Sequence, residues 1–256
     1  MDYFRNKNVL LTGATGGFGS ELVKQLSASG AHLVLTDLRS PAEALPEGVL
    51  RFYEADLSTK DGCLHLCRQC DDDGQTIDIL INNAGLAYVG EFFEIPDDKW
   101  EKVIQVNLLA PMYLARFFVK GMIARRQGHI VNFSSVGGHV ATPLVASYAV
   151  SKFGIRGFGA AIGPELKPYG IFVSDVFPSF TRTPILRSER IGKFSDRPLP
   201  EFLLDEPGPV VANVLAAVAR KESQIFPSFR ARTGKALADF SQTLASNLAH
   251  ELYKYV

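Results

Sequence analysis

A glycine-rich turn between an apolar strand and a helix constrains the fold of this chain more than any other feature. The apolar residues 9–11 predict a short buried strand, and residues 12–19 read Thr-Gly-Ala-Thr-Gly-Gly-Phe-Gly. Residues 21–28 follow with helical periodicity, and the apolar run 32–36 ends at Asp37. Strand, turn, helix and strand in this order make a βαβ unit, in which the two strands are parallel.

The alternation of strand and helix patterns continues along the chain. Its 256 residues are 46% hydrophobic and 21% charged, which is enough apolar material for a sizeable core. We therefore predict one domain over residues 1–256 with an α/β, doubly wound, Rossmann-type fold: a mostly parallel, seven-stranded sheet with helices on both faces. The later strands are predicted near residues 50–53, 77–81, 129–133, 171–177 and 224–226.

Charge and hydropathy argue against several classes of function. Basic and acidic residues balance at 27 each, which removes the electrostatic case for a nucleic-acid partner. No apolar run precedes the first strand, so we expect no secretory signal, and we expect no stretch long enough to span a bilayer. The expected setting is the cytoplasm, with a small molecule rather than nucleic acid or a membrane as partner.

The three cysteines form the pattern Cys63-x3-Cys67-x2-Cys70, which is also the spacing with which radical-SAM enzymes hold an iron–sulfur cluster. Residues 58–61 read Ser-Thr-Lys-Asp, a helix-start signal that places the cysteines at i, i+4 and i+7 on one helix face. We predict that they are small apolar core residues in a reducing compartment, with no metal site. Iron in the purified protein would favour the cluster instead.

The glycine-rich turn also predicts a nucleotide site. Glycines at the start of a helix let backbone N–H groups and the helix dipole meet a pyrophosphate without obstruction by side chains. Asp37, at the end of the next strand, is placed to accept hydrogen bonds from the adenosine ribose and to repel a 2′-phosphate. This favours NAD(H) as the cofactor, while Arg39 is a potential phosphate partner that keeps NADP(H) open.

A second pattern, Tyr148-Ala-Val-Ser-Lys152 with Ser135 thirteen residues upstream, predicts acid–base chemistry. Tyr148 and Lys152 share a helix face, so the ammonium is expected to lower the pKa of the phenol. Hydride transfer between an alcohol and a carbonyl needs a proton donor or acceptor at the oxygen and a hydrogen bond that steadies it. Tyr148 is predicted to move the proton and Ser135 to supply the hydrogen bond.

Together these motifs resemble the single-domain short-chain dehydrogenase/reductase family over residues 8 to about 226. The resemblance implies an oxidoreductase that acts on CH–OH or C=O groups with NAD(P), and a homodimer or homotetramer. The matching motifs are Thr12–Gly19, Asp37, Asp56-Leu57, Asn82–Gly85, Asn107, Ser135, Tyr148-x3-Lys152 and Pro178-x4-Thr183.

The resemblance also implies a role for each matched residue. Asn107, Ser135, Tyr148 and Lys152 look like the catalytic tetrad, with a water held by Asn107 and the nicotinamide ribose bonded by Lys152. Without the family match, Asn107 would be expected only to satisfy backbone groups within a helix. The implied cofactor-binding residues are Gly13, Thr15, Gly17, Phe18, Gly19, Asp37, Asp56, Leu57, Asn83, Ala84, Gly85, Tyr148, Lys152, Pro178, Thr181 and Thr183.

The chain departs from the family pattern at two motifs. Pro178 is followed by Ser179 where the family usually has glycine, which leaves the shape of the pocket there open. Gly13, Gly16 and Gly19 also fit the spacing of the extended members that epimerise or dehydrate nucleotide sugars. Those members need a second domain, for which 256 residues leave little room.

Two C-terminal stretches break the strand and helix rhythm. Residues 182–206 combine three prolines with five basic residues and predict a long loop that acts as a substrate lid. The basic residues are either solvated or bind an anionic tail of the substrate. Residues 234–256 predict an amphipathic helix that packs on the domain or on a second subunit. The apolar positions of this helix are Leu237, Phe240, Leu244, Leu248 and Leu252.

Two hypotheses about function follow. The first is an NAD(H)-dependent oxidoreductase that interconverts a secondary alcohol and a ketone, with a steroid, an acyl chain or a xenobiotic ketone as candidate substrates. The second is a cofactor-binding regulatory or scaffold protein without turnover. A pure binder would not need the tetrad as a set, which favours the enzyme.

Overall fold

The architecture alternates strands and helices from end to end. The computed structural model describes residues 2–41, 45–192, 199–241, 243–244, 247–248 and 251. Its strands are β1 (Asn8–Thr12), β2 (His32–Asp37), β3 (Val49–Glu54), β4 (Ile79–Asn82), β5 (Val89–Gly90), β6 (Gly128–Phe133), β7 (Ile171–Val176), β8 (Arg190–Ile191) and β9 (Gln224–Ile225). Its α-helices are α1 (Gly17–Ala28), α2 (Lys60–Asp72), α3 (Asp97–Ile104), α4 (Ala110–Arg125), α5 (Ala146–Leu166), α6 (Pro207–Ala219) and α7 (Phe229–Phe240).

Seven of these strands form one parallel sheet, in the order β3-β2-β1-β4-β6-β7-β9. The predicted Rossmann-type fold is confirmed, and each predicted strand is found with its ends shifted by at most two residues. The chain adds strands outward from β1 to β3 and then crosses back to β4 on the other side of β1. This reversal opens a crevice at the carboxyl ends of β1 and β4, which is where open α/β sheets bind ligands.

Both faces of the sheet are buried, which explains why its strands are apolar without alternation. In β1, Val9 and Leu11 point into a core shared with α1 and α6, whereas Leu10 points into the core on the other side. That second core contains the three cysteines of α2, at most 1% exposed. Burial raises the pKa of the Cys63 thiol to about 11. The predicted helix face of buried cysteines is confirmed.

One expectation about hydropathy is wrong. The stretch Asp97–Arg125 is helical throughout, because the π-helical turn Gln105–Leu109 joins α3 to α4. By length, and by the hydropathy of its most apolar 18-residue window, this helix could cross a membrane. Its most apolar window is 44% buried inside the fold, and the core helix of a soluble protein passes the same test.

The C-terminal helix also differs from its prediction. Helix α7 begins at Phe229, before the predicted start at residue 234, because the hydroxyl of Ser228 accepts a hydrogen bond from the Ala231 N–H at 3.1 Å. It ends at Phe240, where Ser241 turns extended and its hydroxyl accepts from Leu244 N–H at 3.2 Å. A continuous helix over residues 234–256 is therefore wrong, and Leu252 lies outside the described residues.

A chain of buried polar side chains crosses the sheet. Asn82 Nδ2 donates to Asn132 Oδ1 at 2.9 Å, and Asn132 Nδ2 donates to the carboxylate of Asp175 at 3.0 Å. Asp175 is 3% exposed and occupies the space that a Cβ of Gly159 in α5 would take, at 2.1 Å. Burial raises the pKa of the Asp175 carboxyl to about 7, against the hydrogen bond from Asn132.

We predict that Asp175→Asn stabilises the protein above neutral pH. Because the pKa of Asp175 is about 7 in the folded state and 3.8 in its ordinary state, the unfolded chain loses this proton first, and stability falls as pH rises from about 4 to 7. Asparagine keeps the acceptor for Asn132 without the charge. Thermal unfolding at pH 7.5 should show a Tm higher by roughly 5–10 °C, and the gain should shrink towards zero near pH 4.5.

The matched control for this prediction is Asp56→Asn. Asp56 is exposed, and hydrogen bonding to Ser58 lowers the pKa of its carboxyl, so this change should give no gain above neutral pH. A Tm gain for Asp175→Asn that is the same at both pH values would contradict burial as its cause.

Candidate functional site

A cavity of about 1250 Å³ lies at the carboxyl ends of the parallel strands. Two of the predicted site residues, Gly19 and Asn107, do not line it. Those that do are Gly13, Thr15, Gly17, Phe18, Asp37, Asp56, Leu57, Asn83, Ala84, Gly85, Ser135, Tyr148, Lys152, Pro178, Thr181 and Thr183.

The glycine-rich turn depends on the absence of side chains at three positions. Gly13 has φ +66°, and a Cβ there would lie 2.8 Å from Ala84 Cα. A Cβ on Gly19 would lie 1.9 Å from the carbonyl oxygen of Gly13, so Gly19 is needed for the close packing of α1 against the turn and does not line the cavity. A Cβ on Gly17 would meet the side chain of Thr183 at 2.7 Å, on the cavity wall.

Hydrogen bonds between side chains and backbone hold this turn against the residues that follow β4. The hydroxyl of Thr12 accepts from the backbone N–H groups of Asn83 and Ala84, each at 3.0 Å. The side-chain amide of Asn83 donates to the carbonyl oxygens of Thr12 at 2.9 Å and Gly13 at 3.0 Å. Asn83 therefore uses its side chain to shape the site.

Asp37 holds the other side of the turn. One carboxylate oxygen accepts from both the backbone N–H and the hydroxyl of Thr15, at 2.9 and 2.6 Å. The other accepts from Leu38 N–H at 2.8 Å. The partnership between Asp37 and Thr15 is not visible in the sequence, because 22 residues separate them. It fixes a negative charge on the cavity wall at the end of β2.

Tyr148, Lys152 and Ser135 meet on the wall of the same cavity. Helix α5 places Tyr148 and Lys152 one turn apart, and Lys152 Nζ lies 5.5 Å from the centre of the Tyr148 ring. Nζ donates to the carbonyl oxygen of Phe133 at 2.8 Å, at the end of β6. Ser135, two residues further, accepts from Gly137 N–H at 3.0 Å, and a Cβ on Gly137 would lie 3.4 Å from Ser135 Oγ and 3.5 Å from Tyr148 Cε1, so Ser135 lies beside the Tyr148 ring.

Burial controls the protonation of this pair. It raises the pKa of Tyr148, against a lowering by the hydrogen bond to Ser135, and it lowers the pKa of Lys152 to about 8. The pKa of Tyr148 is therefore raised rather than lowered as expected, because burial dominates. The sequence places the ammonium near the phenol but does not reveal that Lys152 is buried and Tyr148 half-buried. A protonated phenol is suited to donate a proton to a carbonyl oxygen.

Asn107 lies beside the cavity rather than on its wall. It belongs to the π-helical turn, where its Nδ2 donates to the carbonyl oxygen of Leu86 at 2.9 Å and to Ser151 Oγ at 3.1 Å. Its Oδ1 accepts from Leu86 N–H at 3.0 Å. A Cβ on Gly85 would lie 3.5 Å from Asn107 Oδ1 and 3.6 Å from Lys152 Nζ, so Asn107 and Lys152 flank the same segment.

Several residues of the predicted lid line the cavity, among them Leu186, Leu199 and Phe202. Within residues 182–206, β8 pairs with β5, and residues 193–198 lie outside the described part of the chain. Arg182 forms exposed ion pairs with Glu201 and Glu206, so this arginine is already neutralised. The remaining wall was missed by the sequence analysis because its apolar residues have the same pattern as core residues. Among them are Val136, Val140, Val145, Leu199, Phe229 and Leu237.

Comparison with known proteins agrees with this arrangement. Residues 7–193 match the family model for short chain dehydrogenases. The chain belongs to the short-chain dehydrogenase/reductase family. It is an oxidoreductase by that membership. It is 30% identical to dehydrogenase/reductase SDR family member 7B of Bos taurus, over 98% of this chain and 81% of that protein.

Solved structures of the family superpose on most of the chain. A short-chain dehydrogenase from Sphingobium yanoikuyae in complex with NADPH has a TM-score of 0.77 at 29% identity, covering 94% of this chain and 96% of that one. A 4-hydroxyisoleucine dehydrogenase complexed with NADH has a TM-score of 0.72 at 26% identity, covering 86% and 96%. Relatives with this fold therefore bind either nicotinamide cofactor.

We predict that Asn107→Ala destabilises the protein by about 1–3 kcal/mol, because it leaves both backbone groups of Leu86 without their partner. Urea unfolding followed by circular dichroism measures the loss. Ser151→Ala is the control, since it removes one acceptor of Asn107 and leaves Leu86 bonded. An equal loss in the two variants would contradict a role for Asn107 in fixing Leu86.

Proposed function

We propose that the protein is an NAD(H)-dependent oxidoreductase that interconverts a secondary alcohol and a ketone. The observation that carries the proposal is the meeting of Tyr148, Ser135 and Lys152 in a cavity that the glycine-rich turn also lines. When bound, the nicotinamide cofactor supplies or accepts the hydride. The protein must then supply the proton and bind the substrate oxygen.

The glycine-rich side of the cavity fits a dinucleotide. Helix α1 begins at Gly17, so its free N–H groups and positive dipole end face the cavity at a point without a side chain. The carboxylate of Asp37 is held by Thr15 at the end of β2, where an adenosine ribose is bound in this fold. Thr183, across from Gly17, is available to the nicotinamide end.

Tyr148 and Ser135 would share the substrate oxygen. With its pKa raised by burial, Tyr148 carries its proton at neutral pH and donates it to a ketone as hydride arrives at the carbon. The Ser135 hydroxyl, beside the Tyr148 ring, gives the second hydrogen bond to the developing alkoxide. Lys152, anchored on the carbonyl of Phe133, favours the phenolate that remains.

The substrate side favours a hydrophobic ketone or alcohol. Apolar side chains such as Val136, Val140 and Leu237 form this part of the wall. Two basic groups near it are paired: Arg182 with Glu201 and Glu206, and Arg230 with Asp205. An anionic tail that reached either arginine would have to break an existing ion pair, so we propose a steroid, acyl or xenobiotic type of substrate.

The mechanism predicts that Tyr148→Phe lowers kcat about 10²–10⁴-fold for ketone reduction, because phenylalanine has no proton to donate. NADH binding should be nearly unchanged. NADH consumption with a panel of ketones graded by size, polarity and anionic tail measures the effect. Tyr169→Phe is the control, since Tyr169 is 42% exposed and lies outside the cavity. Turnover by Tyr148→Phe at the wild-type rate would favour the regulatory alternative.

A separate prediction concerns the choice of cofactor. Asp37→Ala should weaken NADH binding and improve NADPH binding relative to it, because the carboxylate repels a 2′-phosphate. Fluorescence titration with both cofactors measures the ratio. Thr15→Val controls for damage to the turn, since it keeps the backbone hydrogen bond to Asp37 and loses only the hydroxyl. Tighter binding of NADPH than of NADH by the wild type would overturn the preference.

A further inference from the structure

A buried carboxylate joins three separate segments on the substrate side of the cavity. Asp205 is 8% exposed and precedes α6. One of its oxygens accepts from the hydroxyl of Ser179, and the other accepts from Arg230 Nη1 at 2.6 Å. Ser228, the N-cap of α7, lies beside them, with its Oγ 3.3 Å from the Oγ of Ser179. We refer to Ser179, Asp205, Ser228 and Arg230 as the Asp205 cluster.

The backbone of Asp205 holds the same loop. Its N–H donates to the carbonyl oxygen of Phe180 at 2.8 Å, and its own carbonyl oxygen accepts from Arg182 N–H at 2.9 Å. These bonds form a parallel bridge between Asp205 and Thr181. Main chain and side chain together thus fasten the loop over residues 178–183 to one residue.

The charge of Asp205 is stabilised where it lies. Burial by itself would raise the pKa of this carboxyl, but the hydrogen bonds from Ser179 and Arg230, with the nearby Ser228 hydroxyl, bring it below its ordinary value. A buried carboxylate with its partners removed is costly, so the cluster acts as a unit. Ser179 is the position where the family pattern usually has glycine, and a glycine there could not supply the hydroxyl that Asp205 accepts from.

The segments that meet at the cluster form two different parts of the cavity wall. Pro178, Thr181 and Thr183 lie on the loop expected at the nicotinamide end. Phe229 and Arg230, at the start of α7, line the substrate side. Arg230 also donates from Nη2 to the carbonyl oxygen of Phe202, within the predicted lid. The cluster therefore joins the cofactor loop, the lid and α7.

We propose that Asp205 is a positioning residue that couples the loop over residues 178–183 to the start of α7 and so sets the binding of substrate and nicotinamide. Asp205 touches neither the reacting atoms nor the tetrad, and its effect passes through Ser179 and Arg230. The effect on binding rests on the proposed function, whereas the coupling of the two segments is a property of the structure alone.

The test compares Asp205→Asn and Asp205→Ala with Glu206→Gln. Glu206 is the neighbouring carboxylate, paired with Arg182 at the exposed surface, and such pairs contribute little. Hydrogen exchange followed by mass spectrometry should show faster exchange in residues 178–183 and 228–233 of both Asp205 variants. Glu206→Gln should leave both segments as in the wild type. This measurement needs neither cofactor nor turnover.

Kinetics then test the consequence for binding. Asp205→Ala should raise KM for the ketone about tenfold or more, while kcat falls much less, because an interaction that only positions the walls is lost equally from ground and transition states. Asp205→Asn, which retains an acceptor, should show a smaller rise. In the double variant Asp205→Asn with Arg230→Met, the rise in the free energy derived from kcat/KM should be smaller than the sum of the two single rises. Both substitutions remove the same ion pair.

Three outcomes decide between the ideas. Faster exchange in only one segment, or in neither, would overturn the coupling. Faster exchange in both segments with an unchanged KM and NADH affinity would overturn the positioning role. If both Asp205 variants exchange faster in both segments, but the wild type neither binds NADH nor reduces any ketone, the proposed function is wrong and the coupling stands.

Discussion

The whole site depends on the close approach of two backbone turns at the reversal of strand order. Gly13, at the end of β1, lies so near Ala84, beyond β4, that a single methyl group between them would fall 2.8 Å from a Cα atom. Thr12 and Asn83 hold this approach with hydrogen bonds between side chains and backbone. These bonds hold the two turns together at the base of the crevice, beside the carboxylate of Asp37.

Buried polar groups also connect the strands of the sheet to one another and to helix α5. Asn82, Asn132 and Asp175 link three strands across the sheet, and Asp175 fits only because Gly159 lacks a side chain. The two hydrogen bonds join residues that are 50 and 43 positions apart in the chain, so the network favours one register of the strands. Its cost is a carboxyl whose pKa is raised to about 7.

On the proposed substrate side, the charged groups of Arg182 and Arg230 already form ion pairs within the protein. Asp205 forms an ion pair with Arg230, and Glu201 and Glu206 form ion pairs with Arg182. Much of the remaining wall is apolar, which supports a hydrophobic substrate. The same ion pairs connect the loop over residues 178–183, the segment 201–206 and the start of α7. They therefore also position segments that line the pocket.

The sequence by itself determined the parallel sheet, the glycine-rich turn, the buried cysteines and the positions of Tyr148, Lys152 and Ser135. These features rest on local periodicity or on short spacings, which a chain carries wherever it folds. Only the tertiary structure decided that burial raises the pKa of Tyr148, that Gly19 is needed for the close packing of α1 against the turn, and that Asn107 fixes Leu86. Burial and partners between distant segments arise only when the chain is packed, and no spacing in the sequence records them.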